Sequence, residues 1–159
     1  MKKKLLIIIS VLLFIIILII YTYKLNNKFY LTKKYYDNYQ YKVINHKKVE
    51  KMISNNDSFV LFTNNDFCIF KVPCDNIFKS VFKDSNMTLF YIRFDEFKKT
   101  SLYKKVNYAP SVLLINNNGQ LITYLDPNSD SDSKVYQSKK EFRKWLEKYI
   151  YLNEKDNLK

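Results

Sequence analysis

Cys68 and Cys74 are the two cysteines of this chain, and they stand where an apolar run gives way to an amphipathic one. The apolar run is Phe59-Val60-Leu61-Phe62, read as a strand. Pro73 opens a helix over Pro73 to Lys83, with Cys74, Ile77, Phe78, Val81 and Phe82 spaced i, i+3, i+4, i+7 and i+8 along one face. A thiol at a helix start meets unpaired backbone N–H groups and the positive end of the macrodipole, both of which favour thiolate. The chemistry such a pair could do is thiol–disulfide exchange. The five residues between the thiols are an unusual spacing, since in one regular helix positions six apart lie about 9 Å apart along the axis, beyond the roughly 7 Å between Cα atoms that a disulfide tolerates. A helix beginning only at Pro73, a natural first-turn residue, lets the loop Ile69 to Val72 fold Cys68 back over Cys74. Lys71 would favour thiolate on either sulfur, and either cysteine can be the attacking one. A structural staple and two unpaired thiols are the other states open to the pair.

The elements that must position these thiols follow the same periodicities. Tyr41-Lys42-Val43-Ile44 reads as a short strand, and Asn45 as the N-cap of a helix carrying Val49, Met52 and Ile53 on one face. Thr88 to Phe94 is a strand buried on both faces, and Glu96 to Lys105 a weaker helix with Phe97 and Leu102 inward. Val112 to Ile115 and Leu121 to Tyr124 flank Asn116-Asn117-Asn118-Gly119, a hairpin signal in which both central turn positions call for positive φ. Asp126 to Ser133 reads as a polar loop. Ser138 and Glu141 form a capping box for a closing helix with Phe142, Trp145, Leu146 and Tyr149 as its core stripe. The order β-α-β-α-β-α-β-β-α predicts a parallel α/β core with an antiparallel hairpin added at one edge.

That order, with a cysteine after the second strand and Ala109-Pro110-Ser111 before the hairpin, resembles the thioredoxin-like fold, a central mixed sheet flanked by helices. The stretch Val106 to Ile115 is similar to that family's cis-proline segment, and about 42 residues separate Cys68 from Pro110, near the family spacing. The resemblance spans about residues 41–151 and, more narrowly, points to membrane-tethered Gram-positive forms such as bacteriocin transport accessory proteins. It implies a nucleophilic role for Cys68, a cis-proline at Pro110, and a substrate-binding backbone at Ala109, Pro110 and Ser111. A proline there has no N–H to pair with the thiol and leaves its neighbours free to bond an extended segment. Two positions depart from the family. Lys71 occupies the place of its second cysteine, and Phe62 that of its buried acid.

The N-terminus carries a different signal. Met1-Lys2-Lys3-Lys4 leads into an apolar run from Leu5 to Ile20, extended by Tyr21, Thr22 and Tyr23. As a helix its roughly 19 residues span about 28 Å, the hydrocarbon thickness of a bilayer. No small-x-small cleavage site follows, so residues 1–23 read as an uncleaved signal anchor with residues 5–23 in lipid. Lysines flank it on both sides, and the short N-terminal tail puts the domain outside the cytoplasm, where disulfides persist. A cytoplasm-facing tether with reduced thiols is the alternative topology. Residues 24–40 read as a juxtamembrane stalk, 41–152 as the thioredoxin-like domain and 153–159 as a frayed tail.

Composition excludes other classes. The net charge of +12 comes with one glycine, one alanine and an abundance of Lys, Asn, Ile and Tyr, a skew that yields dispersed lysines without a recognition motif. Nucleic acid is not an expected partner. One glycine cannot build a nucleotide-binding loop, and one histidine, His46, read as a surface residue, supports neither a zinc site nor a hydrolase triad. Asp126, Asn128, Asp130 and Asp132 alternate like the start of a calcium loop, but Ser131 stands where glycine is needed and Gln137 where the bidentate glutamate belongs. No metal and no cofactor are expected. The predicted activity is extracytoplasmic thiol–disulfide exchange on secreted or surface proteins. The competing reading is a non-catalytic accessory or binding module with a structural Cys68–Cys74 disulfide.

Overall fold

The structure is a computed structural model that describes residues 12–16, 28–65 and 74–153. Residues 12–16 are helical and exposed. The rest of the predicted membrane segment lies outside the described residues, among which no helix is long and apolar enough to cross a membrane.

Five strands form one sheet in the order β1-β3-β2-β4-β5: β1 Gln40–Val43, β2 Phe59–Asn64, β3 Thr88–Arg93, β4 Ser111–Ile115 and β5 Leu121–Tyr124. β1, β3 and β2 run parallel, whereas β4 is antiparallel to β2 and β5 to β4. The crossovers pass through α1 (His46–Ser54) and α2 (Cys74–Asp84). β2, central and covered on both faces, is buried from Phe59 to Thr63, which is why its sequence is an unbroken apolar run rather than an alternating one. The five residues of the α2 stripe, Cys74, Ile77, Phe78, Val81 and Phe82, are all buried. Phe78 links this helix to the sheet through an edge-on contact with Phe62 at 5.2 Å and to the closing helix α5 (Lys139–Tyr149) through Phe142 at 4.3 Å.

Several local signals act as their chemistry dictates. Asn45 Oδ1 accepts the Lys48 N–H at 3.0 Å and caps α1. Ser138 Oγ accepts the Glu141 N–H at 3.3 Å, the forward half of the capping box. Gly119 has φ +67°, but it is the only residue of Asn116–Gln120 with positive φ, which corrects the expectation for Asn118. Asn116 instead organises a longer loop: its carbonyl accepts the Gly119 N–H, and its side-chain oxygen accepts from Asn118 and Gln120, each at 3.0 Å. The extra residue appears as a register shift at Leu114/Ile115.

Three further expectations are corrected. The helix expected over 96–105 is two short pieces, α3 (Phe94–Phe97) and a 3-10 turn, Ser101–Lys104. Phe97 and Leu102 are five apart and cannot share one helical face, so Thr100 turns extended between them, its hydroxyl donating to Phe97 O at 2.8 Å. The loop expected over 126–133 ends in a helix, α4 (Asp130–Gln137), whose Asp130 and Asp132 lie at its positive end and whose Val135 and Tyr136 are buried.

The third correction concerns the stalk over 24–40, which from Phe29 onward is a strap bound to the domain. The Phe29 N–H donates to Tyr149 O at 3.0 Å, and the Tyr151 N–H returns to Phe29 O at 3.2 Å. Leu31, Tyr35 and Tyr36 are buried in the core. The buried Asp57 carboxylate accepts from Tyr35 Oη at 2.7 Å and from Lys34 Nζ at 2.9 Å. A strap held by single contacts needs no periodicity, which is why its pattern read as none.

Candidate active site

The site assembles at the carboxyl end of β2, where the sheet changes from parallel to antiparallel pairing. Ala109–Pro110 is a cis peptide directly before β4. Ser111, the first residue of β4, is buried and lies opposite Thr63 of β2. Pro110 is buried and Ala109 half-buried. Cys74 opens α2 with no accessible surface. Cys68, Lys71 and Pro73, the other residues predicted here, lie outside the described residues.

Tyr136 of α4 ties the site together. Its hydroxyl lies 2.7 Å from Pro110 O and 3.0 Å from Leu125 O, two carbonyls that can only accept. Burial pushes this phenol far above its ordinary range and the Cys74 sulfur adds to the rise, so it stays a neutral donor. Tyr41 of β1 is shifted the same way, by burial first, then by Tyr91 and Asp75, with Tyr39 and Cys74 contributing. Lys79 Nζ sits 4.3 Å from the centre of the Tyr41 ring and 2.9 Å from Asp75 Oδ2. Cys74 is therefore within electrostatic reach of two tyrosines, one of which holds the Pro110 carbonyl.

Sequence reasoning missed both tyrosines. Tyr136 follows a stretch whose polarity conceals a helix, and the pattern around Tyr41 indicates only a strand. Phe62, at the place of the family's acid, is fully buried against Phe78 and Tyr91, so no carboxylate stands there. Thr63 Oγ1, Asn64 Oδ1 and Asn65 Oδ1, at and just beyond the end of β2, are buried without a hydrogen-bond partner among the described residues.

Two other sequence features resolve into local structure. His46 is half-buried rather than a plain surface residue: its Nδ1 lies 2.6 Å from Glu96 Oε2 and must donate to that carboxylate. This contact, followed by Lys99 and the His46 N–H, lowers Glu96 to about 2. Asp126 and Asp132, two members of the calcium-like alternation, accept backbone N–H groups of Asn128 and Asp126 at 2.8 and 3.0 Å. No cluster of three His, Cys, Asp or Glu that could hold a metal occurs among the described residues.

The strand order, the crossover helices and the place of Pro110 define a thioredoxin-like α/β fold. No protein-family model matches the chain, and no curated protein sequence matches it. Among solved structures it is similar to a thioredoxin from Entamoeba histolytica, at 14% identity over 62% of this chain and 97% of that one, TM-score 0.48. It is also similar to a thioredoxin pre-protein from Schistosoma mansoni, at 15% identity over 70% and 99%, TM-score 0.48. A thioredoxin from Halobacterium salinarum aligns at 15% identity over 71% and 91%, TM-score 0.44.

Proposed function

We propose that this chain is a membrane-anchored, extracytoplasmic thioredoxin-like thiol–disulfide oxidoreductase acting on secreted or surface proteins. The observation that carries the reading is the complete burial of Cys74 at the start of α2, in a fold whose cis-Pro110 precedes β4. A sulfur without accessible surface cannot be reached by a protein disulfide. Cys68 is therefore the attacking thiol and Cys74 the resolving one. The Cys68 thiolate attacks one sulfur of a substrate disulfide, forms a mixed disulfide and releases a substrate thiolate. The Cys74 thiolate then attacks Cys68 Sγ, closing Cys68–Cys74 and releasing the second substrate thiolate. Two electrons pass to the substrate, and the reverse sequence oxidises a dithiol. Lys71 favours the thiolates, and no cofactor or metal takes part. Ala109, Pro110 and Ser111 offer the extended backbone on which the substrate lies. The apolar run in residues 1–23 supports the anchor and its exterior domain.

A non-catalytic accessory module with a structural Cys68–Cys74 disulfide is the second reading, favoured by Phe62 standing where an acid would assist proton transfer. Full-length Cys74→Ala and Cys68→Ala proteins, incubated with a disulfide-bearing protein, separate the two. The exchange reading expects a reducible mixed-disulfide adduct with Cys74→Ala and none with Cys68→Ala. Absence of adduct in both, with a wild-type potential below about −300 mV, establishes the staple instead.

A further inference from the structure

We infer that the folded domain rests directly on the bilayer that holds its N-terminal segment, through a basic and aromatic seam formed by its two chain ends, with the candidate redox site turned away from the lipid. The inference depends on the anchor proposed above. Its starting point is the tether length. The apolar run ends at Tyr23 and the first residue fastened to the domain is Phe29, so six residue steps connect them. Fully extended, they reach at most about 20 Å. With residues 29–40 fastened to the domain, this tether keeps the Phe29 end within about 20 Å of the hydrocarbon edge, close enough to reach the headgroups.

The surface at that attachment point suits anionic lipid. Phe29 bridges Ile150 in parallel register. Beside it Tyr30 and Tyr151 stack at 4.1 Å, and Lys28 lies over the Tyr151 ring at 5.6 Å. Lys148 lies over Tyr149 at 5.2 Å, and both lysines are exposed. Lys28, Arg143, Glu147 and Tyr151 border an indentation of about 200 Å³. Arg143 and Glu147 neutralise each other at 2.9 Å, so among the described residues of the seam the excess positive charge sits on Lys28 and Lys148. Amphipathic aromatic rings with lysines are the side chains that settle at headgroup level, where each basic residue near an anionic surface strengthens binding about fivefold.

The sheet fixes which way the site faces. The strap meets β2 at its amino end, where Ser58 Oγ donates to Tyr30 O at 2.7 Å and Thr32 N–H donates to Ser58 O at 2.9 Å. Thr63, opposite Ser111, is at the other end, about 17 Å farther along the strand.

The test uses full-length protein in nanodiscs of zwitterionic lipid alone or with phosphatidylglycerol, both carrying a headgroup spin label. Trp145, the only tryptophan, packs 5.7 Å from Tyr149 on α5 and reports contact by quenching. Quenching is expected to rise in the anionic discs and to fall on Lys28→Glu with Lys148→Glu. Lys104→Glu with Lys105→Glu, in the segment joining the site ends of β3 and β4, should leave it unchanged. Protein that stays with the discs but shows no lipid-dependent quenching, or responds equally to both charge pairs, overturns the docking while leaving the anchor standing. Protein that never enters the discs overturns both.

Discussion

The Tyr136 hydroxyl has one proton and two buried carbonyls within reach, Pro110 O and Leu125 O. Tyr136→Phe leaves both unmet by that proton and is expected to cost about 1–3 kcal/mol, read as a lower denaturant midpoint at unchanged slope. At Glu96 the controlling quantity is proton binding. Its folded value of about 2 lies below its ordinary 4.5, so between those values the unfolded chain holds more protons than the native one. The pair's contribution is full above about pH 4.5 and is lost as pH falls through about 2. Glu96→Gln should therefore flatten the acid limb of a stability-versus-pH curve within that window and nowhere above it. An unchanged limb would remove the His46–Glu96 contact from the account. Neither group was legible as such in the sequence, because each acts through a partner that only folding brings near: Pro110 lies 26 positions from Tyr136, and Glu96 50 from His46.

At the scale of elements, hydrophobic spacing read well where one face alone is buried. The α2 stripe came out residue for residue because a single helix packs it against one sheet. Spacing failed where burial is set by several neighbours, as at Phe97 and Leu102, or where two apolar residues suffice to hold a helix, as at Val135 and Tyr136. The β4–β5 loop gives an element-scale prediction. A Cβ on Gly119 would sit 2.8 Å from Ile53 Cγ2 and would have to adopt φ +67°. Gly119→Ala is expected to destabilise by about 1–2 kcal/mol, part of it strain in the left-handed region and part the clash. In a double-mutant cycle with Ile53→Ala the clash should vanish and the strain remain; strictly additive losses would show that the close approach does not matter.

For the whole molecule, the decisive feature is where the domain begins. A fragment starting at Tyr41, the boundary suggested by periodicity, removes Leu31, Tyr35 and Tyr36 from the core. Each buried side chain of that size contributes about 1.5–3 kcal/mol, so the loss is comparable to the total stability of an ordinary domain. That fragment is expected to lack a cooperative melt, while one starting at Lys28 melts cooperatively by circular dichroism. Equal melts would mean that the strap is an accessory to a core already complete without it.

The sequence alone determined the order of strands and crossover helices, the α2 face, the cap at Asn45 and the place of Pro110 before β4, because each depends on residue types at short range: apolar period, a side-chain oxygen at a helix start, a ring that fixes φ. Only the tertiary structure decided that residues 28–40 are a strap, that Cys74 has no accessible surface, and that Tyr136 holds the Pro110 carbonyl. Those facts are pairings between residues far apart in the chain. They are selected by which surfaces the packed core leaves to be covered, and no local pattern encodes that choice.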